Sequence, residues 1–115
     1  MKKYIVTYHA PNDVMEQMAN TPPEESAKGM ELWMAWAQKC GDHLVDLGLP
    51  LTGGQKLNVG GSSENSNREV CGYSILQAES MEQAKELLQG HPHLSGWDQS
   101  CEIEVHEAMP LPGME

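Results

Sequence analysis

Three stretches of the chain alternate apolar and polar residues with the period of a β-strand. Lys3 to His9 (KYIVTYH) is rich in β-branched and aromatic residues and ends at the turn Pro11-Asn12-Asp13. Glu69 to Ala78 (EVCGYSILQA) and Cys101 to Met109 repeat the pattern. In the last of these, Cys101, Ile103 and Val105 fall on one side, and Glu102, Glu104 and His106 on the other. A weaker strand is expected over Leu51 to Val59, interrupted by Gly53-Gly54 and followed by the polar loop GGSSENSN, residues 60 to 67.

Between these strands the period changes to that of a helix. Val14, Met15 and Met18 suggest a short helical turn. Thr21 is then placed as an N-cap, with Pro22 at the first helical position and Glu24 closing a capping box. Met30, Trp33, Ala37, Cys40, Leu44 and Leu47 recur at spacings of three and four, which predicts one long helix to about Leu47, stopped by Gly48 and Pro50. Ser80 and Gln83 form a second capping box, opening a helix with Met81, Ala84, Leu87 and Leu88 inward; Gly90 and Pro92 end it. The element order is βαββαβ, without repeat or linker. It predicts one α+β domain over residues 1 to 115, a ferredoxin-like antiparallel sheet with two helices on one face, and an extended tail from 110 to 115.

At 115 residues the chain supports one modest core. A formal charge of −10, with only seven Lys and Arg, argues against nucleic acid and anionic membrane surfaces as partners. The start MKKYIVTYHA carries too short an apolar run for a signal peptide, and no segment approaches a membrane span. Cys40, Cys71 and Cys101 are an odd number without a CxxC pair, which fits a reducing cytoplasm.

The opening KYIVTYH, the segment LVDLGLPLTGG, the block GYSILQAESMEQAKEL and the ending HPHL…CEIEVHEAMPLPGM resemble the YCII-related (DGPF-type) proteins across nearly the whole chain. The resemblance implies a ferredoxin-like subunit that pairs into a dimeric α+β barrel. Some relatives are linked to dehalogenation of aromatic compounds. Some also carry a His early in the first long helix, paired with an Asp. Residues 13 to 42 contain no His here, Trp33 and Trp36 lie in that region, and LTGGQKL stands where the acidic motif would be. The family dyad is therefore not carried over to this chain.

In a ferredoxin-like sheet the end of the first strand, the start of the last and the end of the second helix share one edge. His9, Asn12 and Asp13 should thus approach His91, His93, Trp97, Asp98 and Cys101, while Asp42, His43 and His106 lie near the opposite edge. His9, His93 and Asp98 are the candidates for acid-base chemistry, since an imidazole beside a carboxylate can exchange protons near neutral pH. Tyr8, Asp13, His91, Trp97 and Cys101 are the candidate pocket lining, with Trp97 a wall for a flat ligand and Cys101 the one candidate reactive thiol. The same residues are of metal-binding type, but the proline-bent HPH loop offers little preorganisation, so no metal is expected. No phosphate-cradling glycine motif is present, and no cofactor is implied.

Two functions fit these residues. One is a small enzyme moving protons on a small organic, perhaps aromatic, molecule. The other is a non-catalytic domain that binds such a molecule. Under either, the apolar residues on both sides of the strands predict a homodimer packed through the sheet face.

Overall fold

The computed structural model describes residues 1–94 and 100–113. Its main sheet is antiparallel and built from β1 (Lys2–His9), β2 (Leu44–Asp46), β5 (Val70–Ala78) and β6 (Glu102–Ala108), in the spatial order β2-β5-β1-β6. Two short strands, β3 (Gln55–Leu57) and β4 (Ser63–Asn65), form a separate hairpin. The helices are α1 (Asn12–Ala19), α2 (Pro23–Cys40) and α3 (Met81–Leu88). This is the ferredoxin-like order, with an extra hairpin inserted ahead of β5.

Alternation on the central strands sorts the side chains. Tyr4, Val6 and Tyr8 of β1 face Leu76, Ala78 and Ser74 of β5 on a shared buried face, where Trp36 and Cys40 of α2 and Ala84 and Leu88 of α3 cover them. Ile5, Thr7 and His9 point to the other face, opposite Ile75 and Tyr73 on β5 and His106, Glu104 and Glu102 on β6. No helix caps that second face among the described residues. The chain accordingly has a radius of gyration of 15.7 Å and is only 21 Å across its thinnest axis; a close-packed domain of this length would have a radius of about 13 Å.

Ser80 caps α3 as its sequence predicts, accepting from the Gln83 amide at 3.2 Å, while the Gln83 side chain accepts from the Glu79 amide. The first long helix differs from expectation at both ends. Its N-cap is Pro22 rather than Thr21, and no side chain caps it. It stops at Cys40, because Gly41 takes a left-handed φ of 55° and a 3₁₀ turn at Gly41–His43 redirects the chain into β2. The sheet's second strand is therefore Leu44–Asp46, inside the predicted helix, and not Leu51–Val59, which contributes only β3 to the hairpin. The predicted stripe also shifts. Met30 is exposed, while Trp36 lies in the core and Trp33 packs against it.

One hydrogen-bonded chain fixes the middle of the core. The Ser74 hydroxyl donates to the Leu47 carbonyl at 2.6 Å, so its oxygen must accept from the Tyr8 hydroxyl at 2.7 Å. Burial pushes the Tyr8 phenol up to about 12, with the Ser74 contact opposing the shift, and keeps it a neutral donor. This ties β1, β5 and the segment after β2 together.

Just beyond Leu47, Gly48 has a φ of 80° and lies so close to β5 that an added Cβ would meet the Tyr73 carbonyl oxygen. Gly48→Ala is expected to cost more than about 2 kcal/mol, seen as a lower urea midpoint with a similar slope. Gly41→Ala has the same sign of φ but open space around it, and is expected to cost only about 1 kcal/mol.

Candidate functional site

The two halves of the segment after α3 do different things. His91 is fully buried, with ring centroids 4.4 Å from Trp36, 4.5 Å from Trp33 and 5.0 Å from Tyr8. Its Nδ1 accepts from the His93 backbone amide at 3.0 Å, which closes the HPH turn. His93 is also buried, and its Nε2 donates to the backbone carbonyl of His9 at 2.9 Å. Both imidazoles thus bond to backbone, and both are also packed in, His91 among the rings of Trp33, Trp36 and Tyr8.

On the opposite face a cleft of about 520 Å³ opens, bordered by Thr7 and His9 of β1, Glu102, Glu104 and His106 of β6, and the approach to β5 at Asn67–Val70. His9 is its centre. The register between β1 and β5 shifts between Tyr8 and His9, and Glu69 takes a left-handed φ of 59°, with its carbonyl accepting from the Ala10 amide. The irregularity brings the Arg68 carbonyl within 3.0 Å of His9 Nδ1. A carbonyl only accepts, so Nδ1 carries the proton and the neutral ring leaves its lone pair on Nε2. Thr7 Oγ1 lies 2.9 Å from that Nε2 and donates to it.

Glu104 completes the group. Its carboxylate accepts from His106 Nε2 at 3.1 Å and lies 4.0 Å from His9 Nε2. The hydrogen bond from His106 holds the Glu104 carboxyl below its usual range, and a positive charge on His9 lowers it further. A proton arriving on His9 Nε2 therefore finds an ionised carboxylate within reach. The chain's one arginine, Arg68, lines the same cleft.

These placements redistribute the residues expected from sequence. His9 and His93 do converge, but through the His9 main chain, and the two rings serve different faces. Tyr8 and His91 belong to the aromatic box behind the sheet. Cys101 is buried with Ala10 and Val14, so it is a packing residue and no exposed thiol. Asp13 is exposed on the first turn of α1 and does not border the cleft. Trp97 and Asp98 lie outside the described residues.

His106 corrects the expected separation. β1 and β6 pair antiparallel as predicted, with His9 opposite Glu102 and Ile5 opposite His106, yet the Glu104 side chain spans the gap between the two imidazoles. His43 does sit at the far edge, bonded to the Gln77 carbonyl. Glu104, His106 and Thr7 were missed as a group. The signal was their shared parity: all three, with His9, project from the same sheet face.

Fold and cleft together define a ferredoxin-like α+β domain with a polar histidine–carboxylate cleft on its uncovered sheet face. No family model matches the chain, and no curated protein matches it. Among solved structures it is similar to 5-chloro-2-hydroxyhydroquinone dehydrochlorinase from Burkholderia phenoliruptrix AC1100, in complex with 2,5-dihydroxybenzoquinone. That likeness covers 100% of both chains at 14% identity with a TM-score of 0.50, and it establishes the fold. No helix among the described residues is long and apolar enough to cross a membrane.

The buried imidazoles carry a pH signature. Burial, then the charge of His93, lowers His91 to about 3, and burial lowers His93 as well. Folding therefore disfavours the charged form of both rings, whereas in the unfolded chain both take up a proton near pH 6.5. Stability is therefore present above pH 6.5 and is lost as pH falls toward the folded value. From pH 8 to pH 5, His91 is expected to remove about 2 kcal/mol, with His93 adding in the same direction. Urea titrations across this range should show the loss. His91→Phe, which keeps a ring but cannot titrate, should flatten the slope even if it lowers stability at pH 8.

Proposed function

We propose that this protein is a small-molecule enzyme whose chemistry is proton transfer by His9, on a hydroxylated ring compound held against the uncovered sheet face. The observation that carries this is the fixed tautomer of His9. Its Nδ1–H is bound to the Arg68 carbonyl, and the basic Nε2 is turned into the cleft beside an ionised Glu104. Thr7 donates to Nε2 in the resting state, and its hydroxyl can rotate away when a substrate proton takes its place. Glu104 then balances the imidazolium, and His106 holds that carboxylate in position.

The dehydrochlorinase of like fold supports the substrate class, since loss of HCl from a hydroxylated ring begins or ends with such a proton transfer. The YCII-related resemblance supports it in the same way. Two copies packed through their uncovered sheet faces would enclose the cleft, exclude water from it and bury the apolar part of that face, Ile5, Tyr73 and Ile75.

Chloride release from 5-chloro-2-hydroxyhydroquinone, alongside calorimetric binding of 2,5-dihydroxybenzoquinone, tests the reading. The wild-type chain is expected to bind the quinone and release chloride. His9→Gln should bind comparably but turn over at least about 100-fold more slowly. Equal rates for the two proteins would remove His9 from the chemistry.

A further inference from the structure

We infer that Arg68 selects the substrate, and that the substrate is a ring compound bearing an anionic oxygen, a carboxylate or an ionised hydroxyl, which the guanidinium takes in the cleft. This rests on the function proposed above and adds the charge of the molecule on which His9 acts.

The chain's single arginine stands among acids. Besides Arg68, the charged and titratable groups of the cleft lining are Glu69, Glu102, Glu104, His9 and His106. Arg68 is therefore the one side chain there, among the described residues, whose positive charge does not depend on pH. Its guanidinium nevertheless enters none of the ion pairs of the described residues, and only its main chain is hydrogen-bonded. It is close enough for its charge to be felt: the Glu104 carboxyl, lowered first by the hydrogen bond from His106, is lowered by Arg68 as well. The planar fork of N–H donors is thus left to a partner from outside the chain, and its geometry fits a carboxylate or adjacent ring oxygens. A chain of net charge −10 repels anions at long range, so holding one in this cleft requires a local cation.

The backbone that carries Arg68 is held firmly. Its amide donates to Ser66 Oγ at 3.2 Å, and its carbonyl accepts from His9 Nδ1 at 3.0 Å. The next residue, Glu69, is the one non-glycine with a left-handed φ among the described residues. Such a conformation persists only where its surroundings over-determine it. One residue thereby does two things: its main chain fixes the tautomer of His9, and its side chain offers the charge. A ring anchored on Arg68 is anchored on the same segment that aims Nε2 of His9.

Calorimetry on the full chain with three probes tests this. They are 2,5-dihydroxybenzoate, which carries a carboxylate, 2,5-dihydroxybenzoquinone, whose hydroxyls ionise, and hydroquinone, which is neutral. The wild-type chain is expected to bind one of the anions at least about 10-fold more tightly than hydroquinone. Which anion it prefers identifies the oxygen that Arg68 takes. Arg68→Gln should abolish the preference, and Arg68→Lys, which keeps the charge without the fork, should retain part of it. Arg68 is exposed, so neither change disturbs the core. Equal binding of the three probes by the wild-type chain, no binding of either anion, or a preference that survives Arg68→Gln overturns the inference. His9→Gln separates this from the proposed chemistry. If it leaves chloride release unchanged while the preference for an anion still depends on Arg68, His9 loses its role and Arg68 keeps its own.

Discussion

The hydrogen bond from the His93 ring to the main-chain carbonyl of His9 joins the two faces of the sheet. Behind it lies the aromatic box, where Tyr8, Trp33, Trp36 and His91 pack edge to face or tilted. In front of it the His9 side chain enters the cleft. Adjacent residues on one strand necessarily point to opposite faces, so whatever fixes the end of β1 sets both environments at once. His93 grips that end from one side, and the Arg68 carbonyl holds the His9 ring from the other. The Trp36 indole, donating to the Leu87 carbonyl at 2.8 Å, locks α2 to α3 and so holds the HPH turn in place.

This arrangement explains an otherwise awkward use of histidine. Burying an imidazole costs free energy at any pH where it would be charged. The chain accepts that cost at positions 91 and 93, where neutral rings can stack on indoles and donate to a carbonyl, and avoids it at 9 and 106, where the rings face the cleft. The identical residue thus does structural work behind the sheet and presents a proton acceptor in front of it.

Where the alternation was strict the fold was legible from sequence. β1, β5 and β6 and the capped start of α3 follow directly from residue order, and so does the ferredoxin-like topology. The end of α2 was not, because Leu44 and Leu47 happen to continue the helical spacing past Gly41, and only the backbone shows the chain turning there. The hairpin was illegible for a different reason: it buries nothing, so no pattern of apolar residues marks its register. Of the site, His9 was visible from its place at the strand end. Glu104 and His106 were noted as a polar strand face, but a carboxylate long enough to bridge two imidazoles is a matter of side-chain reach, which strand position alone does not express.

The acidic character of β6 also bears on how the sheet ends. A sheet edge offers unpaired amides and carbonyls to any passing strand, and fibrillar growth begins at such edges. Here one edge is β2, only three residues long. The other is β6, which presents Glu102, Glu104 and Glu107 and runs out into Pro110 and Pro112. Shortness on one side, and like charges with missing amide protons on the other, make both edges poor templates for further strands. The carboxylates that frame the cleft therefore have a second consequence: they weaken β6 as a template for strand addition.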